Sequence, residues 1–83
     1  MDVANNLLVS IENISHLPNL EEFWANNNKF DNDVYDQVEK ELGSIKTLET
    51  VYLEGNPMHL KNRATYRNKI KLALPNIKQI DAT

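Results

Sequence analysis

The chain has 83 residues, no cysteine and a formal net charge of −3, with 41% hydrophobic and 25% charged residues. This length allows at most one small domain, and the composition is typical of globular proteins. The absence of cysteine excludes a disulfide framework, a thiolate metal site and a cysteine nucleophile. The sequence contains no run of about eighteen apolar residues, so it predicts no membrane span and no membrane partner.

The charges are unevenly distributed along the chain. Residues 1–55 carry eleven acidic and three basic side chains, a net charge of −8, whereas residues 56–83 carry six basic and one acidic, a net charge of +5. Binding to a phosphate backbone needs a basic surface, so the acidic part argues against a nucleic-acid partner. The lysines and arginines of the second part are typical of an exposed helix face.

Three stretches of the chain align with one another on Asn6, Asn28 and Asn56, which are 22 and 28 positions apart. Each asparagine follows alternating apolar residues, in the pattern L-x-x-L-x-L-x-x-N-x-L that recurs about every 20–29 residues in leucine-rich repeats. Such a repeat must stack on neighbours to bury its apolar face. The sequence therefore predicts an α/β leucine-rich-repeat solenoid, a right-handed βα superhelix. Residues 1–60 are expected to form about two and a half repeats, and residues 61–83 a C-terminal cap.

The strand pattern predicts which side chains face the core. Strand side chains alternate between the two faces of a sheet. One set is therefore expected to point inward: Met1, Val3, Phe23, Ala25, Val51 and Leu53. A second set completes the buried layers where the chain turns: Ile11, Ile14, Leu17, Leu20, Ile45 and Leu48. Asn6, Asn28 and Asn56 end the strands, where their amides can satisfy turning backbone, so we expect a structural ladder rather than a ligand site.

Two helices are predicted between and after the strands. Val34, Val38 and Leu42 recur at a spacing of four residues, with Asp31 or Asp33 as a candidate N-cap and Gly43 at the C-terminal end. A second helix is expected from about residue 63 to residue 74, ended by a proline at position 75. Its apolar side consists of Tyr66, Ile70, Ala73 and Leu74. The segment that follows repeats the leucine spacing without the asparagine, as expected for a terminal cap that also uses Ile77 and Ile80.

The chain begins inside a strand pattern, without the half-repeat that precedes the other two strands. We therefore expect a C-terminal fragment of a longer array, with an open N-terminal end of the stack. Apolar residues would be exposed there: Met1, Val3, Leu7 and Leu8. An open strand edge with apolar surface favours self-association of the fragment.

The outward strand positions are the candidate binding residues. Alignment of the repeats puts Asp2, Trp24 and Tyr52 in one column, flanked by Glu22 and Glu54. Neighbouring strands lie about 4.8 Å apart, so the two aromatic rings are expected side by side. Trp and Tyr are enriched in protein-binding hot spots, and the acids suggest a partner with basic residues around an apolar spot. Local packing of the two rings is the alternative interpretation.

The sequence offers no support for catalysis. His16 and His59 lie in different loops, with no nucleophile context and no metal-ligand spacing. Gly43 and Gly55 are too far apart to form a phosphate-binding loop. We therefore expect no enzyme, no cofactor and no metal site.

Several segments together resemble the leucine-rich-repeat regulatory subunit family of protein phosphatase 1. The similar segments are residues 11–17, 22–24 and 48–57, followed by a cap similar to that of the family at residues 66–67, 74–75 and 79–83. The resemblance covers essentially the whole chain. The repeat and cap alone are shared with other proteins, including a spliceosomal A-prime protein, whereas residues 22–24 and 48–54 are more specific.

The resemblance implies a function as well as a fold. In that family acidic and aromatic residues on the concave face bind the phosphatase catalytic subunit, which here implies Asp2, Glu22, Trp24 and Tyr52. It also implies a nuclear and cytoplasmic protein that acts in mitotic, cell-cycle control of the phosphatase. Two alternatives stay open, a ribonucleoprotein scaffold of the A-prime type and a structural cap without a partner.

Overall fold

The protein folds around a parallel sheet, as seen in a computed structural model that describes residues 1–17 and 19–81. Within those residues the sheet has three strands in the order β1-β2-β3. The elements in chain order are β1 Glu22–Trp24, α1 Val34–Gln37, a π-helical turn Val38–Leu42, β2 Thr50–Tyr52, α2 Pro57–Lys61, α3 Tyr66–Ala73 and β3 Gln79–Ile80. The predicted α/β class is confirmed. None of the helices in the described part of the chain is long and apolar enough to cross a membrane.

The register of the sheet agrees with the alignment of the repeats. Phe23 lies opposite Val51, and Val51 lies opposite Ile80. An isolated parallel bridge joins Asp2 to Trp24 on the other side of β1. The aligned segments are therefore neighbours in space, and each strand lies beside the strand of the adjacent segment.

The core lies beneath one face of this sheet. Phe23, Ala25, Val51 and Leu53 are buried there, as the alternation predicts. Ile11, Ile14, Ile45 and Leu48 are also buried, whereas Val3, Leu17 and Leu20 are half-buried at the edge of the core. The inward position that the alternation gives Met1 is not buried, because Met1 is 47% exposed, with no strand of the described chain beyond it. The separate expectation that Met1, Leu7 and Leu8 are exposed is confirmed, whereas Val3 is half-buried.

The first predicted helix forms, and its second half is a π-helical turn. Val34, Val38 and Leu42 are buried as predicted. Gly43 follows as the C-cap and donates its N–H to the carbonyl of Glu39. A side chain at position 43 would collide with that carbonyl, which explains the glycine. Asp33, one of the two predicted candidates, is the N-cap residue, but its side chain makes no cap hydrogen bond.

Side chains of this helical segment hold the loop before β1. The Gln37 carbonyl accepts the N–H of Ile11 at 2.6 Å, and the Glu41 carboxylate accepts the N–H of Ile14 at 3.1 Å and of Ser15 at 3.2 Å. Backbone donors of a loop without regular structure are thereby satisfied, which favours an ordered connection into the sheet.

The second predicted helix is shorter than expected. It begins at Tyr66 rather than near residue 63, because the separate helix α2, which starts with Pro57, precedes it. Its predicted apolar side is correct, since Tyr66, Ile70, Ala73 and Leu74 are all buried. Ile80 is buried and Ile77 half-buried against the same core. The helix thus packs beside β3, where Tyr66 and Arg67 hydrogen-bond to Asp81 and to the Ile80 carbonyl. Ala82 and Thr83, part of the predicted cap, lie outside the described residues.

Candidate functional site

The side chains that point away from the core form the outer sheet face, which we define by its residues: Asp2, Glu22, Trp24, Asn26, Thr50, Tyr52 and Glu54. The five predicted binding residues all lie on this face. Alternation along β1 and β2 puts Glu22, Trp24 and Tyr52 there, because the strand residues between the outward positions are buried. Glu54 continues the alternation beyond buried Leu53. The bridge from Asp2 to Trp24 and the pairing of Trp24 with Tyr52 align these three across adjacent strands.

An aromatic pair lies at the centre of the outer sheet face. The ring centroids of Trp24 and Tyr52 are 4.4 Å apart, and their planes are tilted by 31°. Trp24 is 38% exposed, and Tyr52 is half-buried. The Trp24 indole N–H donates to the Glu22 carboxylate at 2.9 Å. This hydrogen bond fixes the indole on the surface, an interaction that the sequence alone did not suggest.

Carboxylates surround the aromatic pair without basic counterparts. Asp2, Glu22 and Glu54 are exposed. Among the described residues the ion pairs are Lys61 with Asp31 and Lys78 with Glu49, so none involves the outer sheet face. Neither β1 nor β2 contains a lysine or arginine. The face therefore combines exposed aromatic surface with carboxylates that form no ion pair within the described residues, while the Met1 ammonium at its edge donates to the backbone carbonyl of Glu22 at 3.0 Å.

A second polar arrangement lies at the ends of the strands, where Asn56 is fully buried. Its side-chain carbonyl accepts the N–H of Asn28 at 2.9 Å and of Phe30 at 3.3 Å. Its amide group donates to the carbonyls of Ala25 at 3.0 Å and Leu53 at 2.7 Å. All its polar capacity serves the backbone of two adjacent segments, which leaves none for a ligand.

The other two predicted ladder residues repeat this arrangement to different degrees. Asn28 is buried, accepts the N–H of Leu8 at 3.1 Å and donates to the carbonyls of Val3 at 3.0 Å and Ala25 at 3.1 Å. Asn6 donates to the Val3 carbonyl at 2.9 Å, but it is exposed. The ladder asparagines thus become more buried from the first segment to the third.

The residue before each ladder asparagine adopts a left-handed backbone conformation. Asn5 has φ 60°, Asn27 has φ 57° and Gly55 has φ 79°. Asparagine and glycine tolerate this conformation best. The dipeptides at positions 5–6, 27–28 and 55–56 are therefore a sequence signal for this turn.

Tyr66 and Asp81 form a buried, hydrogen-bonded polar pair beside β3, which the sequence alone did not suggest. The Tyr66 hydroxyl donates to the Asp81 carboxylate at 2.9 Å, and Asp81 also accepts the N–H of Leu53 at 2.9 Å and of Glu54 at 3.1 Å. Burial, followed by the nearby Asp81 charge, raises the pKa of Tyr66. Asp81 thereby takes over the backbone-satisfying role that asparagine has in the earlier segments.

His59 lies in α2, not in a loop as predicted, whereas His16 is exposed in a loop. The Nδ1 atom of His59 accepts the N–H of Gly55 at 3.0 Å, and its ring lies 4.7 Å from that of Tyr66. Over residues 1–17 and 19–81, no group of three or more histidine or acidic side chains could hold a metal ion. His59 thus contributes to packing between α2 and α3.

Comparison with known proteins gives close relatives, although no family model matches the chain. The chain is 50% identical over 70 residues to protein phosphatase 1 regulatory subunit SDS22 of Schizosaccharomyces pombe, a match over 84% of this chain and 20% of that protein. It is 43% identical over 57 residues to the Saccharomyces cerevisiae SDS22 subunit, over 68% of this chain and 17% of that protein. Human protein phosphatase 1 regulatory subunit 7 is 56% identical over 43 residues, which cover 52% of this chain and 11% of that protein.

These matches confirm the resemblance that the sequence analysis identified. The match spans about a fifth or less of the length of these relatives, and all three are named as regulatory subunits of a phosphatase. The chain is a homologue of the protein phosphatase 1 regulatory subunits SDS22 and regulatory subunit 7.

Proposed function

We propose that the chain forms part of a leucine-rich-repeat solenoid whose concave face is the outer sheet face. The aligned segments, their parallel register and the ladder of asparagine side chains support this architecture. Repeats that share such hydrogen bonds stack into curved arrays, which present an extended binding surface on one side. In this arrangement residues 1–60 supply repeats and residues 61–83 supply the cap.

The solenoid binds the catalytic subunit of protein phosphatase 1 and acts as a non-catalytic regulator in the nucleus and cytoplasm. The names of the relatives support the phosphatase as partner. The observation that carries the choice of surface is the exposed Trp24 ring, which stacks on Tyr52 among unpaired carboxylates. Aromatic residues at the centre of an interface commonly supply most of the binding energy. The net charge of −8 over residues 1–55 disfavours the ribonucleoprotein alternative.

Substitution of the aromatic pair tests this function. Trp24→Ala is expected to weaken binding to the phosphatase catalytic subunit by about 2 kcal/mol or more, and Tyr52→Ala is expected to act in the same direction. Binding is measured by biolayer interferometry with immobilised catalytic subunit, and the thermal midpoint is measured on the same proteins. Because both side chains lie outside the core, the midpoint is expected to change little.

Leu72→Ala is the matched control, since Leu72 is 82% exposed on α3, away from the outer sheet face. It is expected to leave binding unchanged. Glu22→Ala is expected to weaken binding mainly at low salt, because an exposed charge at the rim is screened as the salt concentration rises. Unchanged affinity with a collapsed thermal midpoint for Trp24→Ala would instead favour the local-packing interpretation and contradict the assignment of this surface.

A further inference from the structure

The chemistry of the aromatic pair limits what can fill the outer sheet face. The only nitrogen donor of the Trp24 side chain is already used by Glu22, with 2.9 Å between Nε1 and the carboxylate oxygen. The indole therefore presents its ring surface rather than its N–H to a partner. Tyr52 extends this surface, with 4.4 Å between the ring centroids.

The electrostatic character of this surface is negative in two respects. An aromatic face carries the negative part of the ring quadrupole, and tryptophan attracts cations most strongly. The Glu22 carboxylate is bonded at the indole edge, and Asp2 lies beside Trp24 through the parallel bridge. No ion pair within the described residues neutralises either carboxylate. A cation above the rings would therefore meet both the aromatic faces and unpaired charges.

The chain contains an internal example of the same type of contact. On the helical side of the molecule the Lys69 ammonium lies 5.4 Å from the centroid of the Tyr35 ring. That contact joins α3 to α1, with Lys69 supplied by the chain itself. On the outer sheet face the aromatic and acidic groups are present, but neither strand supplies the cation.

We infer that an arginine side chain of the partner protein fills this site, stacked over Trp24 and Tyr52. The inference rests on the proposed function, in which a phosphatase subunit covers the outer sheet face. Arginine fits better than lysine because its planar guanidinium stacks on aromatic rings and still presents N–H donors at its edge. Those donors bind the carboxylates of Glu22 and Asp2, while the aliphatic stem covers apolar surface.

Titration with small probes tests the site directly. The probes are Nα-acetyl-arginine amide and the neutral isostere Nα-acetyl-citrulline amide, added to the whole chain at constant ionic strength. Trp24 is the only tryptophan, so its indole N–H signal in NMR spectra reports on this site alone. The arginine probe is expected to bind with a Kd about fivefold lower than that of citrulline, from one cation–π contact and one exposed charge pair.

Two variants and a matched control show which groups produce this preference. Glu22→Gln retains an acceptor for the indole N–H but removes the charge, so it is expected to reduce the preference about twofold. Tyr52→Leu retains apolar volume without the ring and is expected to reduce it about twofold as well. Glu39→Gln makes the same charge change on the exposed helical side and is expected to leave the preference unchanged. An equal loss in Glu39→Gln and Glu22→Gln would indicate only a long-range field and would overturn the inference.

Binding of the phosphatase catalytic subunit to the unsubstituted chain separates the two proposals. If that subunit binds but the two probes have equal Kd values, the arginine site is wrong and the proposed function stands. If the arginine preference is present but the subunit does not bind, the cation site stands and the phosphatase is not the protein that fills it.

Discussion

The two edges of the parallel sheet differ in what covers them, although related sequence patterns lead to both. Beside β3, Ile80 is 2% exposed and Asp81 is 6% exposed, and Tyr66 and Arg67 of α3 hydrogen-bond to Asp81 and to the Ile80 carbonyl. Beside residue 2, Asn6 is exposed and Leu7 is 78% exposed. The comparison shows that burial of a repeat position depends on the presence of a neighbouring segment, not on the residue type alone. We therefore expect the covered edge to carry most of the stability.

The largest expected effect is at the covered edge. Ile70→Ala is expected to lower the free energy of unfolding by about 2–5 kcal/mol, because Ile70 is fully buried and the substitution leaves a cavity. Leu72→Ala, on the exposed side of the same helix, is expected to change it by less than about 0.5 kcal/mol. Urea denaturation followed by circular dichroism measures both. Similar losses for the two variants would contradict the assignment of α3 as the cover of the sheet.

The same substitution at two ladder asparagines tests the difference between the two edges. Asn56→Ala is expected to cost about 2–3 kcal/mol of unfolding free energy, because buried backbone donors and acceptors lose their partners. Asn6→Ala is expected to cost less than about 1 kcal/mol, since water can replace its exposed hydrogen bonds. The same denaturation experiment checks both values. An equal cost for the two substitutions would show that the edges do not differ as proposed.

A smaller effect is expected at the polar pair beside β3. Tyr66→Phe is expected to lower the unfolding free energy by about 1 kcal/mol at neutral pH, because Asp81 loses one hydrogen bond. The loss is limited because Asp81 keeps the N–H groups of Leu53 and Glu54. Urea denaturation of both proteins at neutral pH measures this difference. A Tyr66→Phe variant as stable as the unsubstituted chain would contradict a stabilising role for the hydroxyl.

The same pair predicts a dependence on alkaline pH. The pKa of Tyr66 is raised in the folded state. The unfolded chain therefore releases the tyrosine proton at about pH 10, the ordinary pKa of tyrosine, while the folded chain retains it. The folded state then binds more protons, so the unfolding free energy falls as pH rises. The difference between the unsubstituted chain and Tyr66→Phe should therefore shrink between about pH 8 and about pH 10.5. A difference that stays constant over this range would contradict the raised pKa.

The smallest effect on stability is expected at the uncovered edge. Leu7→Lys replaces a largely exposed leucine, so the unfolding free energy is expected to change by less than about 0.5 kcal/mol. Self-association is expected to decrease, because a lysine opposes edge-to-edge pairing and removes apolar surface. Sedimentation velocity over a range of concentrations measures it. Equal association of Leu7→Lys and the unsubstituted chain would contradict self-association through this edge.

Local and periodic features could be predicted from the sequence. The alternation around Phe23 and Val51 predicted which strand residues are buried, and the spacing of Val34, Val38 and Leu42 predicted a helical face. The same alternation predicted that Trp24 points away from the core. These predictions succeed because the side-chain period of a strand or helix follows from its backbone geometry.

Local rules failed where chain ends and caps depend on neighbours. Helix α2 was missed because its five residues are too short for a recognisable apolar period. The alternation alone also put Met1 in the core, although it is exposed, since alternation cannot indicate whether another strand covers an edge. The helix near Asp33 begins without the side-chain cap that the residue type suggested.

The sequence by itself therefore determined the repeat register, the inward and outward strand positions and the homology to phosphatase regulatory subunits. Only the tertiary structure decided which hydrogen-bond partner each polar side chain has. Tyr66 meets Asp81 across fifteen residues, and Asn56 reaches Ala25 across thirty-one. The Trp24 N–H is taken by Glu22, a choice made by side-chain rotation rather than by strand register. Periodicity specifies the face on which a side chain lies, whereas the partner of a polar group depends on which segments the folded chain brings within hydrogen-bonding distance.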